Sequence, residues 1–154
     1  MNGKKTDWVR LIGWTVFIGY LVLLMYYMFF ADIWGRTNIR GDYSYNLQPF
    51  REILRFIRYR EMLGFWPVFL NLGGNILGFI PFGFCIPLLD RKHRSWYVIV
   101  LESMLFSACI ETIQLVSRVG SCDVDDVILN TVGGFFGYLL FVTAWKIRRK
   151  RHAL

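Results

Sequence analysis

Four long apolar runs, separated by short polar or basic segments, dominate the chain: residues 9–31, 67–89, 96–116 and 124–145. Each reaches the roughly 20 residues that a helix needs to cross about 30 Å of hydrocarbon, so four transmembrane helices are expected. A different pattern lies between the first two runs. Across residues 49–63, Phe50, Ile53, Leu54 and Ile57 recur at helical spacing while Arg51, Arg55 and Arg58 occupy another face. That is the pattern of a helix lying in the membrane interface, with its arginines among lipid head groups. A solvated connecting helix with snorkelling arginines would show the same pattern. The expected fold is all-α: one domain over residues 1–154, an integral membrane bundle of four transmembrane helices with an amphipathic interfacial helix between the first and second.

Composition agrees with lipid as the solvent. Of the 154 residues, 55% are hydrophobic, which is too apolar for an ordinary water-soluble domain. The first run follows Lys4, Lys5 and Arg10, as a secretory signal would. It exceeds the roughly 7–15 apolar residues of a signal core, and Met25 to Ala31 offers no small-residue cleavage site, so it reads as a retained anchor.

Basic residues set the expected orientation. With the amino terminus in the cytoplasm, that side collects Lys4, Lys5, Arg10, Arg91, Lys92, Arg94, Lys146, Arg148, Arg149, Lys150 and Arg151, a majority of the 18 Lys and Arg residues. Both termini then face the cytoplasm. The loop carrying Arg36, Arg40, Arg51, Arg55, Arg58 and Arg60 runs against the rule, but its length and amphipathic character weaken the objection. The net charge of +7 needs no nucleic acid, because basic residues flanking spans and meeting anionic lipid account for it. No nucleic-acid motif or Gly-rich phosphate loop accompanies it. Cys85, Cys109 and Cys122 form neither a disulfide framework nor a metal-ligand spacing.

The polar residues inside the runs carry the candidate chemistry. In the second run Asn71, Asn75 and Gly78 share one face, and Pro81 loosens the helix near mid-membrane. In the third, Ser103, Ser107, Glu111, Gln114 and Arg118 form one stripe. Glu111 falls roughly 8 Å inside its span at 1.5 Å per residue. In the fourth, Asp126, Asn130, Gly133 and Gly137 share a face just beyond Asp123. Alternation of the spans brings Asn71, Asn75, Glu111, Gln114, Arg118, Asp123, Asp126 and Asn130 to one depth near the outer leaflet, as a single outward-facing polar site.

Structural roles compete with that reading. Gly74 with Gly78, and Gly133 with Gly137, are small-xxx-small pairs suited to close helix packing, and the asparagines suit interhelical hydrogen bonds. Asp125 and Asp126 would favour the start of a helix, Asp123 would cap it, and Arg118 would pair with one of them. Glu102 lies roughly opposite Glu111 around the third helix and would meet the basic RKHR loop.

NLQPF at 46–50, NLGGNILGFIPFG at 71–83 and the series Glu111, Gln114, Arg118, Asp123, Asp126, Asn130, Gly133 and Gly137 resemble the VanZ-like membrane proteins in order and spacing. The resemblance implies a bacterial membrane protein linked to resistance against teicoplanin and related lipoglycopeptides. Three mechanistic classes fit these residues, in decreasing order of preference. The first is a binder of an envelope lipid or lipid-linked precursor head group, with Arg51, Arg55 and Arg58 as interfacial contacts and no cofactor. The second is an enzyme on a lipid-linked substrate, using Glu111, Asp123 and Asp126 to hold a divalent cation or to transfer protons. No catalytic triad is recognisable, because His93 and His152 fall on the other side. The third is a small transporter, for which four helices would need to oligomerise. Ligand, oligomeric state and metal content are left open.

Overall fold

The computed structural model describes residues 2–30 and 45–151, apart from the side chains of residues 2–7, 9 and 91. The expectations placed on residue 31, Arg36, Arg40 and His152 lie outside those residues. Helix α1 runs Asn2–Phe30. A two-residue strand β1, Tyr45–Asn46, precedes the short helices α2, Arg51–Arg58, and α3, Arg60–Leu63. The next helical unit begins as α4, Phe65–Val68, passes through a π-helical turn at Phe69–Gly73 and continues as α5, Gly74–Leu89. A 3-10 turn at Arg91–His93 leads to α6, Trp96–Ser117; strand β2, Cys122–Asp123, then precedes α7, Val124–Arg151. Four stretches are long and apolar enough to cross a membrane: Arg10–Phe30, Phe65–Leu89, Trp96–Ser117 and Val124–Arg151. The fold is therefore the all-α four-span bundle with a short amphipathic helix between the first two spans.

The parallel pairing of Tyr45 with Cys122 and Asn46 with Asp123 has no counterpart in the hydrophobic pattern. Two residues are too few to produce an alternation. The single amphipathic helix expected over 49–63 is divided at Tyr59, whose φ of −99° and ψ of 15° depart from helical values. Both Pro81 and Pro87 lie inside α5 without ending it, as tightly packed membrane helices allow.

Contacts fix the directions of the helices. Tyr20 donates to the Gly78 carbonyl at 2.6 Å, Phe17 packs on Phe82, and a Cβ on Gly13 would meet Leu89, so α1 and α5 run antiparallel. The core between α1, α5 and α6 contains Phe17, Leu24, Met28, Phe79, Phe82 and Ile110, with Phe106 stacked on Phe82 at 5.0 Å. Many other large apolar side chains remain exposed, including Leu11, Val22, Leu105, Val116 and Leu140. Lipid is the solvent for such surfaces.

The closest helix contact is between α5 and α7, and glycine is its physical basis. A Cβ on Gly133 would lie 2.2 Å from the Ile76 carbonyl oxygen, one on Gly137 2.1 Å from that of Ile80, and one on Gly83 1.8 Å from that of Gly134. These are backbone atoms, which cannot rotate away. Gly133 and Gly137 thus pack on the α5 backbone at Ile76 and Ile80, and the α5 glycine in this contact is Gly83, which meets Gly134. Gly78 instead faces the Leu24 side chain of α1, at an ordinary 3.4 Å, and Gly74 is half-buried. The spacing of glycines along α5 shows a small-residue pair without showing which neighbour it meets.

At the other end of the bundle, Arg94 donates through Nε to the Pro87 carbonyl at 3.1 Å and lies 4.1 Å over the Trp145 ring, closing the α5–α6 connection against α7. His93 Nδ1 contacts Glu102 Oε1, so Glu102 does meet the basic turn.

The glycine contact predicts an asymmetry between substitutions. Gly133→Ala should force α5 and α7 apart and cost about 1–3 kcal/mol, within the usual range for overpacking. Gly19→Ala on α1, where a Cβ would meet nothing within 4 Å, should be tolerated. Thermal unfolding of both variants in the same detergent checks this, and equal transition temperatures would remove the contact as a determinant of stability.

Candidate functional site

The start of α7 gathers polar groups from four segments of the chain. Glu111 is 2% exposed, and its Oε2 accepts from the Asp123 amide at 2.8 Å. Asp123 Oδ1 accepts from the Asp125 amide at 2.9 Å and from the Asn46 side-chain amide at 3.0 Å. The first of these bonds makes Asp123 the cap of α7, and the second ties that cap to β1.

Asp125 acts on a different helix. Its Oδ1 accepts from Phe50 N at 2.5 Å, while its Oδ2 accepts from Glu52 N at 2.7 Å and Ile53 N at 3.1 Å. A side chain at the start of α7 thereby caps α2, 72 to 75 residues earlier in the chain. Three orphan N–H groups and the positive end of the α2 dipole account for a carboxylate there. Phe50 holds a left-handed φ of 65°, which a non-glycine residue adopts at a cost of roughly 1–2 kcal/mol. Its hydrogen bond to Asp125 helps offset that cost.

Asn75 reaches Asp126 across the α5–α7 interface, donating through Nδ2 to Oδ1 at 2.5 Å. One turn along α7, Asn130 donates to Ser107 Oγ of α6 at 2.8 Å. Gln114 donates to the Met28 carbonyl near the end of α1 at 2.8 Å. The α6 stripe therefore touches both α7 and α1.

Glu111, Asn75, Asp123, Asp126, Asn130 and Gln114 all take part in this end of the bundle, and all but Asp126 are buried. Asn71 does not bond to the cluster: its Nδ2 donates to Pro67 O, one turn back in its own helix, at 2.8 Å. Arg118 ends α6 with a left-handed φ of 57° and is exposed. Arg51, Arg55 and Arg58 are exposed on α2, where Arg55 pairs with Glu52 at 2.8 Å. Among the described residues, no group of three or more His, Cys, Asp or Glu side chains is placed to hold a metal ion.

Sequence reasoning left out two members. Asp125 looked like an ordinary helix-start aspartate, and its partners lie far away in the chain, so local spacing could not reveal them. Asn46 carried a faint signal as the first residue of NLQPF.

Burial chiefly pushes the Asp123 carboxyl above the ordinary carboxylate value, with the Asp125 amide and the Asn46 side chain opposing the shift. Burial likewise raises the adjacent Cys122 thiol, leaving less of the reactive thiolate. The chemical picture is a set of buried carboxylates that accept backbone and amide donors, with the side-chain carbonyl oxygens of Asn75, Gln114 and Asn130 buried and without a hydrogen-bond partner among the described residues, beside an exposed, basic, amphipathic helix.

This architecture defines a multi-spanning helical membrane protein with a polar cluster at one end. The chain matches the VanZ/LLP1 family over residues 17–146. It is 32% identical over 127 residues to Protein VanZ of Enterococcus faecium, an alignment that covers 79% of this chain and 68% of that protein. The chain belongs to the VanZ/LLP1 family. No solved structure matches it.

The Asp123 shift has a definite sign. An acid whose pKa is raised on folding binds its proton more tightly in the folded state, so its contribution to stability is present below the ordinary aspartate value of 3.8 and is lost as pH rises through the raised value. Asp123→Asn retains Oδ1 for both hydrogen bonds and carries no charge. Wild type should therefore lose stability relative to this variant as pH rises from acid towards neutrality, as read by thermal unfolding over a pH series. A difference independent of pH would show that burial of this carboxylate does not govern its titration.

Proposed function

We propose that this chain is a multi-pass protein of a bacterial cell membrane, with both termini in the cytoplasm. It binds the phosphate-bearing head group of an envelope lipid or lipid-linked cell-wall precursor, and so takes part in resistance to teicoplanin-type lipoglycopeptides. The observation that carries this reading is the capping of α2 by Asp125, which holds a basic amphipathic helix at the polar end of the bundle.

The division of groups supports binding. The buried carboxylates are engaged in bracing the fold, whereas the guanidinium groups of Arg51 and Arg58 are exposed, beside exposed Leu54 and Ile57. Guanidinium groups match phosphate oxygens bidentately, and the neighbouring apolar side chains suit the acyl boundary. Membership of the VanZ/LLP1 family supports the link to resistance. The basic residues near both chain ends support the orientation, since Arg148, Arg149, Lys150 and Arg151 close α7.

A resistance assay tests the function. Expressed in a susceptible Gram-positive host, the wild-type chain should reduce surface binding of teicoplanin more than that of vancomycin, which lacks the lipid tail. At matched membrane levels, Arg51→Gln with Arg58→Gln should abolish the difference by removing charge, and Asp125→Ala should abolish it by releasing α2. Leaving three α2 amides without their acceptor should also cost about 1–3 kcal/mol of local stability. Equal protection by wild type and all variants would remove α2 from the mechanism.

Thiol labelling tests the orientation. With the native cysteines replaced, an impermeant reagent applied to intact cells should label Ser117→Cys and leave Lys150→Cys unlabelled. The opposite pattern would invert the topology.

A further inference from the structure

Two side-chain amides sit at the most closely packed part of the bundle. Asn75 is 1% exposed and Asn130 is 0% exposed. Asn75 directly precedes Ile76, whose carbonyl lies against Gly133, and Asn130 is three residues before Gly133 on the same face of α7. The two amides therefore flank one point of backbone contact between α5 and α7.

Each donates to the protein through Nδ2: Asn75 to Asp126 and Asn130 to Ser107. Each keeps a buried carbonyl oxygen, Oδ1, with no hydrogen-bond partner among the described residues. The orientation of Asn75 follows from its partner, since turning the amide over would set a carbonyl oxygen against the Asp126 carboxylate. Ser107, also 0% exposed, adds a hydroxyl oxygen from α6. Its neighbour one turn along, Ser103, packs on Gly134 with its own Oγ buried and without a partner. Leaving such acceptors unsatisfied in a low-dielectric interior is costly, so each calls for an electropositive partner.

We propose that Asn75 Oδ1, Asn130 Oδ1 and Ser107 Oγ, beside the Asp126 carboxylate, ligate a monovalent alkali cation between α5, α6 and α7. Neutral amide and hydroxyl oxygens with a carboxylate at hand are hard donors suited to a hard cation. This site is separate from the exposed arginines of α2 and is independent of the proposed head-group binding. Its consequence is a link between cation binding and the docking of α5 on α7.

Thermal unfolding of the full chain in detergent tests the site, using sodium chloride, potassium chloride and N-methylglucamine chloride at equal ionic strength. At a cation concentration about ten times the dissociation constant, one of the alkali salts should raise the transition by about 4 °C over N-methylglucamine, and the rise should saturate. Asn130→Ala should abolish the rise. The nearly isosteric Ser107→Ala, which preserves packing if Asn130→Ala fails to fold, should shift saturation to several-fold higher concentration. Equal transitions of wild type in all three salts would overturn the proposal and leave water as the partner of these oxygens. A rise undiminished in the variants would place the cation elsewhere.

Discussion

Asp125 accepts three backbone N–H groups from the start of α2, and the position of the interfacial helix depends on that interaction. A helix of eight residues is too short to be stable by its own hydrogen bonds. Its apolar side chains are only partly covered by protein, with Leu54 and Ile57 exposed. A carboxylate fixed to α7 supplies what α2 lacks: acceptors for its orphan amides and a negative charge at the positive end of its dipole. Asp125 is in turn held by its place in the first turn of α7. Asp123 caps that turn, and Glu111 receives the amide of Asp123. The location of the arginines is thus set through a chain of three carboxylates, none of which needs to face solvent.

The glycine contact between α5 and α7 sets the depth at which this chain of acceptors operates. Removing side chains from Gly83, Gly133 and Gly137 lets backbone meet backbone, and the polar side chains just above are pressed into the same layer. Asn75 then reaches Asp126, and Asn130 reaches Ser107. In hydrocarbon each such bond replaces a water that is not available, so close packing and polar pairing are two aspects of one requirement.

The four spans were legible because their lengths and apolar content are dictated by the bilayer, and the amphipathic helix because Arg51, Arg55 and Arg58 keep to one face. Alternation of spans also brought Asn75, Glu111, Asp126 and Asn130 to one end. The partnerships were not legible. Periodicity assigns a residue to a face of its own helix but does not say which neighbour that face meets, so neither the Gly83–Gly134 contact nor the packing of Gly78 on Leu24 is legible in the spacing of the glycines. Asp125 shows the same limit more sharply, because sequence placed it correctly at the start of α7 yet its hydrogen bonds serve α2. Tyr45–Asn46 pairs with Cys122–Asp123 through main-chain atoms, which leave no side-chain pattern to read.

The α6 stripe shows why bracing and function are hard to separate in this fold. Gln114 holds the end of α1 through the Met28 carbonyl, Glu111 holds the start of α7, and Ser107 receives Asn130 from the second turn of α7. One face of one helix therefore sets the relative height of two others. A carboxylate at Glu111 is costly in the membrane interior when unsatisfied, but here it accepts a backbone amide at a helix start, where the local dipole favours its charge. That bond offsets part of the cost. The same acid, through Asp123, Asp125 and α2, sets the position of arginines that are themselves exposed.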